Sequence, residues 1–125
     1  VQEVGFITTD DGLFGLSPDG LIGDDGVLEV KTMVSSDTLF TAVADGDLSA
    51  YIDQCNGYLW LLGRQWVDLV LWAPDLESIG LQMTIHRITR DEAAIELLEA
   101  DLLAFAGRVD GYEAALRSAA KRAAK

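Results

Sequence analysis

Ser17-Pro18-Asp19-Gly20-Leu21, followed by Gly26-Val27-Leu28-Glu29-Val30-Lys31, is the stretch on which the fold of this chain turns. Side chains of a β-strand alternate between its two faces, so Glu29 and Lys31 project on one side while Leu28 and Val30 point into a core. Asp19 closes the preceding strand, and a turn over Leu21 to Gly26 folds the chain back, which sets Asp19 beside Glu29. Two converging carboxylates with the Val30 carbonyl between Glu29 and Lys31 are the hard oxygen donors that Mg²⁺ or Mn²⁺ prefers. Lys31 is the one base in residues 1–63, among eleven acids, and stands a side chain away from where a metal-bound water would lie. There its charge can orient or deprotonate that water and stabilise charge on phosphate. The same spacing also describes an Asp-Gly turn and an exposed Glu29/Lys31 pair worth well under ~1 kcal/mol.

Outward from this hairpin, Val4, Phe6 and Thr8 alternate with Glu3, Gly5 and Ile7 as in a short strand, and Asp10-Asp11-Gly12 supplies a turn. Leu13 to Leu16 then re-enter the sheet, which makes the first third a β-meander. Ser35 or Ser36 caps a short helix through Leu39, Phe40 and Val43 that Gly46 ends, and a second helix runs from Leu48 to Leu62 with Gly63 as its stop. Gln65 to Trp72 is apolar on one face and nearly so on the other, as an inner strand is, and Leu81 to Ile88 is a further strand. Thr89 with Glu92 forms a capping box opening a helix toward the C-terminus, in which Gly107 and Gly111 are candidate breaks. Its seam of Ile95, Leu98, Leu102, Phe105, Val109, Tyr112 and Leu116 suits packing on the sheet or on another subunit. Together these elements predict a mixed sheet with helices, α/β or α+β.

The motifs, taken in order, resemble the core of the PD-(D/E)XK nucleases, and specifically the lambda-exonuclease / YqaJ viral recombinase family, in which SPDGL precedes a G-x-x-E-x-K strand. The resemblance continues through Ala50-Tyr51-Ile52-Asp53-Gln54 to Leu59-Trp60, a Y-x-x-Q helix, and on through both later strands into the last helix. It implies a restriction-endonuclease-like core whose metal ligands are Asp19, Glu29 and the Val30 carbonyl, with Lys31 catalytic. It further implies that Gln54 positions the lysine or the water, that Tyr51 and Ser17 contact substrate, and that Glu3 serves a second metal or its water. The implied cofactor is one or two Mg²⁺ or Mn²⁺ ions. The implied activity is hydrolysis of double-stranded DNA by a phage-recombination 5′→3′ exonuclease. A homotrimer, a single-strand annealing protein as partner, and a phage or prophage origin in a bacterial host complete the implication. Thr32-Met33 stands where the family often has Cys-Pro, and Asn56 where it often has a second glutamine. The family's N-terminal helical portion, with its arginine pocket for a 5′-phosphate, has no counterpart in residues 1–125, so the expectation is the catalytic half only.

Length and composition bound these readings. The 125 residues, half of them apolar and 24% charged, suit one domain, not two, and no run approaches the ~20 apolar residues of a membrane span. The single cysteine, Cys55, excludes an internal disulfide or a thiolate metal cluster, and fits a cytoplasmic compartment. A net charge of −12 argues against a general electrostatic grip on nucleic acid; the tail bases Arg117, Lys121, Arg122 and Lys125 read as a solvated helix end. His86 reads as a surface or hydrogen-bonded side chain, and Trp60, Trp66 and Trp72 as core. A non-catalytic assembly module on the nuclease fold and a structure-specific endonuclease are the rival functions.

Overall fold

The computed structural model describes residues 1–124. Thr9 to Gly12 turn the chain first: the Asp11 carboxylate accepts from the Leu13 N–H (2.9 Å) and the Thr9 hydroxyl, and pairs the two-residue strands β1 (Ile7–Thr8) and β2 (Gly15–Leu16). This hairpin is a sheet of its own. Leu13 to Leu16 therefore do not re-enter the main sheet, and there is no single meander.

The main sheet has four strands in the order β3 (Gly20–Ile22), β4 (Gly26–Thr32), β5 (Trp66–Trp72) and β6 (Met83–Thr89). It is mixed, with β3 and β6 antiparallel to their neighbours and β4 parallel to β5. The parallel pair needs a crossover, which α1 (Ser36–Leu39), a π-type turn over Phe40–Ala44 and α2 (Ser49–Leu62) provide. Gly63 ends α2 at φ +64, the left-handed conformation that a side chain disfavours. Neighbouring side chains leave no room for a Cβ at two glycines of the deciding stretch. A Cβ on Gly20 would stand 2.6 Å from a Val1 methyl, where the N-terminal segment bridges Gln2 to Leu21, and one on Gly26 would collide with the Trp66 ring.

The helices cover one face of the sheet. Val27, Val67, Leu69 and Leu71 are fully buried there against Cys55, Tyr58, Leu59, Ala42 and Met33. Glu29 shares that face at 5% exposure, whereas Leu28 is half-buried and Val30 is 40% exposed on the other. The expectation that Leu28 and Val30 enter the core is thus reversed, because α2 crosses the sheet on the Val27–Glu29 side and no helix among the described residues covers the opposite side. Trp72, Met83 and Ile85 lie exposed on that open face, so Trp72 is not a core residue, while Trp66 is half-buried beneath the Arg87 guanidinium at 3.7 Å.

The last helix, α3 (Glu92–Ala123), is capped by Asp91, whose carboxylate accepts from the Ala94 N–H; Thr89 ends β6 instead of forming a capping box. It passes unbroken through Gly107 and Gly111. Of its seam, Ile95 is buried and Leu98 and Leu102 are half-buried near α2, but Phe105, Val109, Tyr112 and Leu116 are exposed. The intramolecular role of the seam therefore stops about midway. Arg117 pairs with Glu113 one turn away, and Lys121 and Arg122 sit exposed in the last turn, where the helix dipole favours them; Lys125 lies outside the described residues.

Candidate active site

The β3–β4 register pairs Gly20 with Leu28, which places Asp19 across from Glu29 just beyond the end of β3. There the Asp19 Oδ2 accepts a hydrogen bond from the Val30 N–H at 2.7 Å, in the place a further strand residue would have occupied. Both backbone groups of a strand residue face the same edge, so the Val30 carbonyl also opens toward Asp19. Asp19 itself is exposed while Pro18 and Gly20 are buried on either side. The carboxylate is therefore held at the surface by a rigid frame.

Glu29 is the buried member. Its Oε1 lies 3.2 Å from Lys31 Nζ and accepts from Gln54 Nε2 at 3.4 Å, and its Oε2 accepts from the Tyr58 hydroxyl at 2.5 Å. A buried carboxylate without such partners would be strongly disfavoured, so the lysine and the two helix side chains are what permit the charge here. Lys31 reaches partly into solvent, its side chain 29% exposed. Asp19, Glu29, Lys31 and Gln54 thus come together at one end of the sheet, under α2.

Tyr58 is the residue that sequence reasoning passed over. It is 2% exposed, donates to Glu29, accepts from Gln54 Nε2 at 3.0 Å, and lies 3.4 Å from the Ser17 carbonyl. Burial first, and then the hydrogen bond to the Glu29 carboxylate, push its hydroxyl well above the ordinary tyrosine range, so it stays a neutral donor. The signal was present, since Gln54 and Tyr58 are four residues apart on one helix and share a face. Tyr51, three residues before Gln54, turns its hydroxyl to the Met33 sulfur at 3.6 Å instead. Ser17 is exposed at the rim and meets the cluster through its carbonyl. Glu3 is exposed beside the Gln2–Leu21 bridge and does not join Asp19 and Glu29: among the described residues no three acidic, histidine or cysteine side chains gather as a metal site.

Other candidates stay outside the cluster. His86 is half-buried and within 3.3 Å of the Thr84 hydroxyl. Cys55 is fully buried within α2, and burial, aided by Glu29, pushes its thiol up to about 11. Trp60 is half-buried and meets Phe14 edge-on.

The sheet order, the helical crossover and the carboxylate-bearing hairpin make a mixed α/β fold of the kind found in an alkaline exonuclease. Among solved structures the chain is similar to the alkaline exonuclease LHK-Exo from Laribacter hongkongensis, with a TM-score of 0.83 and 37% identity over 97% of this chain. The structure of LHK-Exo in complex with dAMP is equally similar, at a TM-score of 0.83 and 37% identity. This chain spans 63% of the length of that exonuclease. No family model matches the chain, and no curated protein does. No helix of the described residues is long and apolar enough to cross a membrane.

Proposed function

We propose that the chain is the catalytic core of a Mg²⁺-dependent deoxyribonuclease that hydrolyses phosphodiester bonds, most like a 5′→3′ double-strand exonuclease. The observation that carries this reading is the convergence of Asp19, buried Glu29 and Lys31 at one strand end, in a fold shared with an alkaline exonuclease at 37% identity. The donor set fits the cation: Mg²⁺ is commonly held by one or two carboxylates with waters and substrate phosphate completing its octahedron, and Asp19, Glu29 and the Val30 carbonyl are such a set. When bound, Mg²⁺ supplies Lewis-acid polarisation of the phosphoryl oxygen and an acidified water.

The chain's own residues do the rest. Tyr58 and Gln54 hold the Glu29 carboxylate in one orientation, so no reorganisation is needed when substrate arrives. Lys31, tethered to Glu29 at 3.2 Å, presents a cation where charge grows on the phosphate oxygens. The Val30 N–H anchors Asp19 through Oδ2, which fixes the direction in which its other oxygen is offered. The acidic surface, net −12, opposes long-range attraction of DNA, so recognition depends on this local arrangement and on ionic strength. The family resemblance alone supports a role in phage recombination, a homotrimer and a single-strand annealing partner.

The test is single-turnover cleavage of an end-labelled linear duplex, beside a closed circle, in saturating Mg²⁺. The wild type degrades the linear duplex and spares the circle, and Lys31→Ala lowers the rate by at least ~10²-fold, as removal of one transition-state charge stabiliser does. Equal cutting of the circle would favour an endonuclease. A folded wild type inert in Mg²⁺ and Mn²⁺ would favour the assembly module.

A further inference from the structure

Ala106 is the last half-buried residue of α3, and from Gly107 to Ala123 every residue is exposed. This arm is about 25 Å long at the rise of an α-helix. An isolated helix of that length is marginal in water, and Gly107 and Gly111 each weaken it by roughly 1 kcal/mol. A solvated arm has no use for apolar periodicity. Yet Phe105, Val109, Tyr112 and Leu116, between 45% and 71% exposed, follow one another at steps of four, three and four. They continue the stripe that Ile95, Leu98 and Leu102 bury or half-bury at the start of the helix, in the spacing of a coiled-coil seam. Charge divides at the same place. Residues 1–101 hold 19 acids and 4 bases, whereas residues 102–125 hold 2 acids and 5 bases.

We propose that the distal half of α3 is a self-association arm, pairing antiparallel with the same arm of a second copy of this chain. A two-fold axis between Asp110 and Gly111 sets Phe105 against Leu116 of the second copy and Val109 against its Tyr112. The same register lays the basic arm of each copy along the acidic start of α3 in the other, with Asp101 beside Arg122 on one flank of the seam. Leu98 and Leu102 already pack toward α2, and the positions facing them are Ala123 and Ala119, which need little room. A parallel pairing would instead set the two acidic bodies side by side, and like charges disfavour it. Two aromatic and two aliphatic side chains from each copy bury on the order of 1,000 Å² in total, the lower bound of a specific interface, so the dimer is a reversible one. Its contact is isologous and closes at two copies, unlike a three-fold ring, and the pairing does not depend on the nuclease reading.

Sedimentation equilibrium at roughly 1 to 300 µM, the range that a contact of this size calls for, tests the pairing. The mass of the wild type rises with concentration from that of one chain to twice it. Val109→Glu, at an exposed position that leaves the fold intact, raises the dissociation constant ~10-fold or more, because the dimer would bury an unpaired charge. Leu97→Glu, on another exposed face of α3, leaves association as it was. Arg122→Asp weakens the dimer, and adding Asp101→Arg to the same chain restores it, since the swapped charges meet again only when the helices run antiparallel. Far-ultraviolet dichroism and melting temperatures accompany each variant. A chain that stays monomeric throughout this range overturns the proposal, as does a dimer or trimer indifferent to Val109→Glu. An equal loss in Leu97→Glu overturns the seam, and failure of the double charge swap to restore association overturns the antiparallel pairing.

Discussion

Replacing Tyr58 by phenylalanine removes one oxygen from the buried network and nothing else. The ring volume stays, and the packing of Tyr58 against the Val27, Cys55 and Leu59 cluster is kept. Glu29 loses its donor on Oε2 and retains Lys31 and Gln54 on Oε1. Because Tyr58 is 2% and Glu29 5% exposed, little water can replace the lost donor. A hydrogen bond to an ionised group contributes roughly 1.5–3 kcal/mol, which is the expected loss of stability. For a domain of this size it corresponds to a fall in melting temperature of about 5–12 °C. Urea unfolding followed by near-ultraviolet dichroism measures the free energy, and single-turnover cleavage in Mg²⁺ measures the consequence for Glu29. With its carboxylate less firmly oriented, the variant turns over more slowly. The pH dependence supplies an independent check. The folded Tyr58 hydroxyl holds its proton to higher pH than in the unfolded chain, so its contribution is fully present below the ordinary tyrosine value and is lost as the pH rises above about 10. The stability difference between wild type and Tyr58→Phe therefore narrows in strong alkali. A Tyr58→Phe protein within about 0.5 kcal/mol of wild type and equally active would refute the argument that this hydroxyl holds Glu29.

Asp19→Asn keeps an oxygen to accept from the Val30 N–H but removes the charge, so stability without metal changes little while the rise in melting temperature on titrating Mn²⁺ is lost; equal stabilisation of both proteins would remove Asp19 from the cation site. Cys55, fully buried with its thiol pushed up to about 11, reacts slowly with iodoacetamide at pH 8 until urea unfolds the chain, and wild-type stability relative to Cys55→Ala declines as the pH rises from about 9 through about 11. Gly107→Ala and Gly111→Ala lie in the exposed part of α3 with open space around a new Cβ, so each raises unfolding free energy by about 0.5–1 kcal/mol in urea titration.

Local rules reach some of this molecule and not the rest. The Asp19–Glu29 juxtaposition was legible because a hairpin's register follows from a Gly- and Asp-rich turn and a period of two, and the Glu29–Lys31 pairing follows from the same period. The inner position of β5 was legible because only a strand covered by neighbours carries so many apolar residues on both faces. Gly63 as the end of α2 likewise needed only the backbone preference of glycine. The buried side of β4 was not legible, for Leu28 and Val30 are as apolar as a core demands. The crossing of α2 decided it, burying a carboxylate and exposing Val30. Asp91 displaced Thr89 as the cap of α3 because β6 extends through Thr89, a choice made by pairing with Trp66 across the sheet. Tyr58 and Tyr51 are equally good partners for Gln54 by helical spacing. Which one meets Glu29 depends on how α2 lies over the sheet, and a one-dimensional period carries no information about that tilt.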